Sequence, residues 1–576
     1  MKKFLLLLLI FAVTFAHADN SKISPDLQNY PANQKAQVIV QYAPGTQVNC
    51  SGLLGLLGCL VNDILNLGGT ILSYIPVVNG LVAVLDGNGI VNLSNQSNVV
   101  YISLDRPLTP TLSNAAPAVN AFAAWQSGYT GAGVGVALID SGVSSHPDLN
   151  GGSWGASRVV WNQSFVPGNA GGNDQYGHGT HIAGLIAGNG ASSTGTQYSK
   201  TFEGIAPQAN LINLRVLDQN GQGTDSAVIS AIMTAISLKS KFNIRVINLS
   251  MGRPVYESYK LDPLCLAVEA AWKSGIVVVV AAGNNGRYQA TNGYGTVTSP
   301  GNDPYVITVG AMKPMGTPTR VDDLIASYSS KGPTALDAIA KPDILAPGNL
   351  LVSLEAPGST LYNAYSGNQV PYSYYVKGGS SSPSSKYFTL SGTSMATGVV
   401  SGVVADLLQK SPYLNPDQVK ARLMKTAWKS LPAYSSTTDP TTGITYTDQY
   451  DVFTVGAGYI DVEAALANTD LANGTAMSPV ASFNGTSDSV NLNANPSSVW
   501  NTSSTWSYST VWGTSQFFTG TSQTSVSSGS TSGSQTSASN AMWGSNAMWG
   551  SNAMWGSNAM WGSNAMWGSN FAAGEQ

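Results

Sequence analysis

Short, unbroken apolar runs recur through the middle of the chain, at 134–139, 210–216, 246–249, 276–280 and 306–309. They lack the every-other-residue alternation of a strand with one wet face, so both faces must be covered, as in a buried parallel sheet. Stretches with helical spacing fall between them, at 225–239 and 264–274. This alternation, from about residue 114 to 468, predicts a doubly wound, mostly parallel α/β domain. Its sites should form beyond the carboxyl ends of the strands.

The pattern differs on either side. Residues 19–113 carry strand-like runs at 37–42, 80–85 and 99–103 with apolar helical material between them, which predicts a small α+β unit. A stretch with three prolines, 105–117, reads as an exposed linker. Beyond 468 the chain turns Ser/Thr/Asn/Gly-rich and ends in five copies of Ser-Asn-Ala-Met-Trp-Gly, so Trp543, Trp549, Trp555, Trp561 and Trp567 recur six apart. Trp500, Trp506 and Trp512 keep the same step in a degenerate version. A period of six keeps every indole on one face of an extended strand, which suits a tail that contacts a cell surface or polysaccharide. The same low complexity also suits a disordered linker.

Residues 1–18 read as a secretory signal: Lys2 and Lys3, an apolar run over 4–13, then Ala16-His17-Ala18 as a cleavage site. The run is too short for a membrane span, so the expected location is secreted, extracellular or periplasmic. Cys50, Cys59 and Cys265 are the three cysteines, too few for a disulfide framework. Cys50 and Cys59 are placed either to pair locally or to stay as free thiols.

Composition then narrows the functional classes. Only 10% of residues are charged and the net charge is −4. With 26 Lys and Arg against 30 Asp and Glu there is no basic excess to displace counterions, which argues against a nucleic-acid partner. An apolar fraction of 43% argues for a packed core rather than disorder.

Candidate chemistry sits in the α/β segment, in the order Asp, His, Ser. Asp140-Ser-Gly142 directly follows the apolar run at 134–139, which puts a carboxylate at the edge of the sheet. Gly177-His178-Gly-Thr-His181 leads into an apolar helix, and after the signal the only histidines are 146, 178 and 181. Ser391-Gly-Thr-Ser394-Met-Ala396 opens a helix running to about 408. Each signal alone suits a cap or a turn. At a helix start, however, free N–H groups and the helix dipole favour a developing oxyanion.

Taken together, the three motifs resemble the subtilisin-like serine proteases, whose triad runs in this order. The resemblance extends over 128–131, 145–149 and 456–461, and it includes Ala281-Ala-Gly-Asn284, where the family carries its oxyanion asparagine. It implies Ser394 as nucleophile, His178 as general base, Asp140 as its orienting partner and Asn284 as oxyanion donor. His181 is then structural. The substrate backbone would lie between Gly221-Gln-Gly223 and Ser250-Met251-Gly252, with Ala282 and Gly283 lining the side-chain pocket.

The resemblance also makes 19–113 an inhibitory propeptide, 105–117 a self-cleavage zone and polypeptides the substrates. A permanent N-terminal domain is the other reading of 19–113. No cofactor is required. Calcium stays open at Asp148, which matches one ligand position, although the loop at 188–202 lacks the usual calcium pattern. Arg253, where a second glycine often follows, would narrow or charge one pocket rim, and Thr397-Gly398 replaces Ser-Pro in the nucleophile helix. Two rivals remain: an inactive homologue that binds through its Trp tail, and a serine esterase.

Overall fold

The computed structural model describes residues 20–24, 27–28, 30–43, 61–75, 79–104, 112–151, 155–317, 319–439, 442–484, 489–501 and 504–512, with short pieces at 517–519, 522–524 and 530–532 and at residue 575. The signal, Cys50, Cys59, most of the proline-rich linker and the hexapeptide repeats lie outside them. The chain divides into two compact units, Met1–Thr109 and Pro110–Gln576.

The first unit is a four-stranded antiparallel sheet in the order Thr70–Ile75, Gly80–Asp86, Lys35–Tyr42, Val99–Leu104. Three of these strands match the apolar runs in the sequence. Lys35–Tyr42 alternates between buried and more open positions, as a strand with one covered face should. Val38, Val40, Leu81, Leu93 and Ile102 form its core with Ile64 and Ile90. The helix Gly87–Ser94 starts on Asp86, whose carboxylate accepts the Gly89 N–H at 2.8 Å.

The second unit has the expected doubly wound architecture. Across its sheet the strands run Leu324–Ile325, Ile307–Lys313, Val277–Ala281, Ile244–Leu249, Gly135–Asp140, Asn210–Arg215 and Val159–Ser164, with Ile344–Pro347 also paired to Ile307–Lys313. All pairs are parallel except that of Leu324–Ile325. The helices His178–Ala187, Asp225–Phe242, Pro263–Lys273 and Thr393–Lys410 accompany the sheet. Gly135–Asp140, Val277–Ala281 and Ile307–Lys313 are buried at every position, which is why they read as unbroken apolar runs.

Two boundaries differ from the sequence expectation. Residues 112–117, assigned to an exposed linker, begin the helix Leu112–Ala118, with Ala115 and Ala116 buried in the core of the second unit. The folded body also continues past residue 468. The hairpin Val480–Asn484 with Ser489–Asn493, followed by the helix Tyr508–Trp512, packs beside the helix Pro416–Thr426. Trp500, Trp506 and Trp512 are buried there with Met424 and Phe453. Trp500 meets Trp512 edge to face at 5.0 Å, and its indole N–H donates to the Met477 carbonyl at 2.8 Å. The degenerate Trp step is therefore core packing. Among the described residues, no helix is long and apolar enough to cross a membrane.

Candidate active site

Asp140 ends the central strand and His178 begins the helix Gly–Ala-rich enough to pack close above it. His178 Nδ1 lies 2.8 and 3.0 Å from the two Asp140 carboxylate oxygens. Asp140 Oδ1 also accepts the Ser141 N–H at 2.7 Å, which fixes the carboxylate rotamer. An ionised carboxylate only accepts, so Nδ1 carries the proton and Nε2 is the basic nitrogen. Nε2 is buried and has no hydrogen-bond partner among the described residues. Burial alone would lower the His178 pKa, but the charge and hydrogen bond of Asp140, with the charge of Asp174, outweigh it and the net shift is upward.

A second carboxylate supports this turn. Asp174 is buried and accepts from the Ser141 hydroxyl (2.8 Å), the Gly177 N–H (2.7 Å), the Thr180 N–H (2.8 Å) and the Thr180 hydroxyl (2.7 Å). Ser141 Oγ in turn accepts the Gly179 N–H at 2.9 Å. The first-turn amides of the His178 helix are thereby satisfied by side chains. Asp174 sits in a Gly/Asn-rich loop with no sequence signal of its own, so only the fold reveals it.

Ser394 lies in the first turn of Thr393–Lys410. This helix packs on the His178 helix: a Cβ at Gly398 would lie 3.3 Å from Ile182 Cγ2. Gly398 is four residues past Ser394 and Ile182 four past His178, so the helices touch one turn beyond both residues. The glycine that replaces proline here leaves room for that approach. The Ser394 hydroxyl donates to the Ser250 carbonyl at 2.9 Å. The Ser250 hydroxyl donates to the Ser394 carbonyl at 2.8 Å and accepts from Asn248 Nδ2 at 2.9 Å, while Asn248 Oδ1 accepts the Ser401 hydroxyl at 2.9 Å. Asn248 and Ser401 thus tie the nucleophile helix to the strand Ile244–Leu249.

Asn284 follows the neighbouring strand Val277–Ala281. Its Oδ1 accepts the Thr393 N–H (2.9 Å) and the Thr393 hydroxyl (3.1 Å). A backbone N–H must face an oxygen, so the amide orientation is set, and its NH₂ lies on the Gly392 side, 3.2 Å from where a Cβ there would stand. In the same helix turn, the Thr393 amide is taken by Asn284, and those of Met395 and Ala396 point to the Gly392 carbonyl. That leaves the Ser394 N–H as the donor beside Asn284.

The segments expected to hold substrate emerge side by side. Ser250–Gly252 and Ala282–Gly283 leave adjacent parallel strands, paired in register through Leu249 and Val280. Ala282 and Met251 are buried, and the Gly283 N–H donates to Thr393 Oγ1 at 3.1 Å. Thr298 stands between the two glycines. A Cβ at Gly252 would lie 2.3 Å from its hydroxyl oxygen, and one at Gly283 3.0 Å from its methyl. Gly221 and Gly223 flank Gln222 in a turn closed on Asp218, whose carboxylate accepts the Gln222 N–H at 2.9 Å. This turn rests on Tyr176, two residues before His178.

Arg253 does not charge the pocket rim as expected. It is buried, with its guanidinium on Asp225 at 2.9 Å and Asp262 at 2.7 Å, so its charge is neutralised within the protein. His181 Nε2 lies 3.0 Å from the Leu351 carbonyl and 3.1 Å from that of Phe388, and burial lowers its pKa to about 3. It is a neutral structural donor. Cys265 is buried, and burial raises its thiol pKa. Asp148 does not fit a calcium ligand. Its carboxylate oxygens accept from the Ser192 N–H (2.8 Å) and the Tyr387 hydroxyl (2.7 Å), and its carbonyl accepts from Arg158 (2.8 Å). A cation there would have to displace a full set of protein donors.

A parallel α/β sheet with an Asp–His pair at one strand end and a serine at the start of a neighbouring helix is an arrangement that suits nucleophilic serine chemistry. Residues 131–458, more than half of the chain, match the model of the subtilase family, and the chain belongs to it. It is 40% identical over 338 residues to serine protease AprX of Bacillus subtilis (strain 168), covering 58% of this chain and 70% of that protein. Subtilisin E of the same organism is 34% identical over 368 residues, covering 62% and 78% respectively. M-protease of Shouchella clausii is 32% identical over 371 residues, covering 64% and 74%. The chain is a subtilisin-like serine endopeptidase that acts on polypeptides.

Proposed function

We propose that Asp140, His178 and Ser394 form the catalytic triad of a secreted endopeptidase made as a self-processing zymogen. The observation that supports this best is the pairing of His178 Nδ1 with Asp140, which leaves Nε2 without a hydrogen-bond partner among the described residues, on a helix that packs against the Ser394 helix. The Ser394 hydroxyl would turn from the Ser250 carbonyl to His178 Nε2 as substrate binds. Contacts of this kind commonly tighten only in the substrate complex.

Ser394 Oγ attacks the scissile carbonyl, and its proton passes to His178 Nε2. Asp140 holds the ring and stabilises the imidazolium. The carbonyl oxygen, now an anion, is bound by the Asn284 NH₂ and the Ser394 N–H. His178 returns the proton to the leaving amine, and water repeats the sequence on the acyl-enzyme. The substrate backbone pairs between 221–223 and 250–252, with its side chain against Ala282 and Gly283.

The unit at 19–113 acts as inhibitory propeptide, released by a cut in the part of the 105–117 zone ahead of the buried helix Leu112–Ala118, after export under the signal at 1–18. Two measurements test this reading. A fluorophosphonate should label wild type and fail on Ser394→Ala. The same variant should accumulate uncut, and its efficient maturation in isolation would overturn self-processing. Turnover of acyl esters far above peptides would favour the esterase rival.

A further inference from the structure

Asp488 is followed by a single charged residue, Glu575, which comes seven residues after the last Ser-Asn-Ala-Met-Trp-Gly copy. That residue is buried on the second unit. Its carboxylate meets Arg287 Nη2 at 2.7 Å and the Ser327 N–H at 3.0 and 3.1 Å, and it accepts the Ser327 hydroxyl. Its backbone is read as well: the Glu575 N–H donates to Asn349 Oδ1 at 2.8 Å, and Asn349 Nδ2 donates to the Glu575 carbonyl at 2.7 Å.

The slot is built for this occupant. Ser327 and Asn349 are both buried. Arg287 is held in place by its Nε–H bond to Ser327 Oγ (2.8 Å), by Asp439 (2.8 Å) and by the ring of Tyr446. One carboxylate on Arg287 therefore does not satisfy the site, because two further donors on Ser327 and the whole Asn349 amide are turned toward the same residue. A planar guanidinium with a backbone N–H suits a carboxylate. A side-chain amide bonded to both backbone groups of one residue suits an extended peptide.

We propose that Arg287, Ser327 and Asn349 form a peptide-reading latch, specific for glutamate, that fastens the chain beyond the Trp repeats to the catalytic unit. In the chain, the repeats at 539–568 then fall between two points fixed on the second unit, Trp512 and Glu575. The latch also borders the catalytic loops. Arg287 is three residues past Asn284, and the chain after Asn349 is tied to the nucleophile motif, with the Leu350 N–H on Ser391 Oγ at 2.8 Å.

The full-length chain carrying Ser394→Ala, which prevents self-digestion, allows a direct test. Hydrogen exchange at the Ser327 amide should speed up about tenfold or more on adding Glu575→Ala. A peptide of residues 569–576, Ser-Asn-Phe-Ala-Ala-Gly-Glu-Gln, should restore protection when added to that double variant. The same peptide with Ala in place of Glu should not. Restoration also shows that the variant is folded. Unchanged exchange, failure of the glutamate peptide to restore protection, or equal restoration by the alanine peptide would each overturn the latch.

Discussion

The Ser394 hydroxyl donates to the Ser250 carbonyl at 2.9 Å, while Ser250 Oγ donates back to the Ser394 carbonyl at 2.8 Å. This reciprocal pair holds the proposed nucleophile against the residue that follows the strand Ile244–Leu249 and opens the proposed substrate segment 250–252. In the proposed mechanism, substrate pairing along that segment would compete for the same carbonyl, which would couple occupancy to release of the hydroxyl toward His178.

The pH dependence of activity follows from the environment of His178. The proposed mechanism needs its neutral form, and the Asp140 pairing, outweighing burial, raises the folded pKa above 6.5. The acid limb of kcat/KM should therefore have its midpoint above pH 6.5, and Asp140→Asn should move it down while lowering kcat. For stability the sign is opposite. The protonated pair stabilises the fold fully below pH 6.5, and that contribution fades as pH rises through the raised value. A wild-type midpoint at or below 6.5 would contradict the geometry.

His181 works the other way. Its folded pKa of about 3 lies below the unfolded value near 6.5. The unfolded chain therefore takes up a proton that the fold refuses, and stability falls as pH drops from 6.5 toward 3. The full penalty is about 5 kcal/mol. His181→Gln, which keeps an N–H donor for the Leu351 or Phe388 carbonyl, should flatten this part of a denaturation-versus-pH curve. A variant with the wild-type slope would show that the proton is taken up elsewhere.

The close approach of Gly252 and Gly283 to Thr298 gives a steric prediction. A methyl at Gly252 meets the Thr298 hydroxyl at 2.3 Å, so Gly252→Ala must displace Thr298 or the 250–252 segment. The expected result is a drop in kcat/KM of about tenfold or more, partly recovered by adding Thr298→Ala, which removes the nearest atom. Absence of recovery in the double variant would mean that Thr298 is not the limiting contact.

These sites show where sequence was informative. The strands at 135–140, 277–281 and 307–313 were legible because they are covered on both faces and apolarity is continuous. Val159–Ser164 was not, since an edge strand with Trp161, Asn162 and Gln163 has one open side and no clean period. Asp140, His178, Ser394 and Asn284 could be found because each sits in a short motif at a strand end or helix start. Asp174 and Thr298 could not, because only the fold brings them to the site. The Trp500–Trp512 step shares its spacing with the repeats but is buried, a difference that period alone does not carry.

Arg158 carries the last prediction. Its guanidinium reaches the carbonyls of Asp148 (2.8 Å), Ala187 (2.5 Å), Ala209 (3.1 Å) and Asn150 (3.4 Å), beside the Asp148 carboxylate. Burial lowers its pKa to about 10, so it remains charged at neutral pH. A fixed cation thus ties the loop after Asp140 to the end of the His178 helix, where the family resemblance left calcium open. Arg158→Met removes this donor from the Ala187 and Ala209 carbonyls, while those of Asp148 and Asn150 keep the backbone and side-chain N–H groups of Asn189. The loss is then about 1–3 kcal/mol for each of the Ala187 and Ala209 carbonyls not rescued by water. Arg158→Lys should recover only part of the loss, because one ammonium cannot span the four acceptors. Thermal unfolding should therefore rank wild type above Arg158→Lys above Arg158→Met, with a chelator leaving the wild-type midpoint in place. A large fall in that midpoint on chelation, reversed by calcium and unaffected in Arg158→Met, would assign this role to a metal instead.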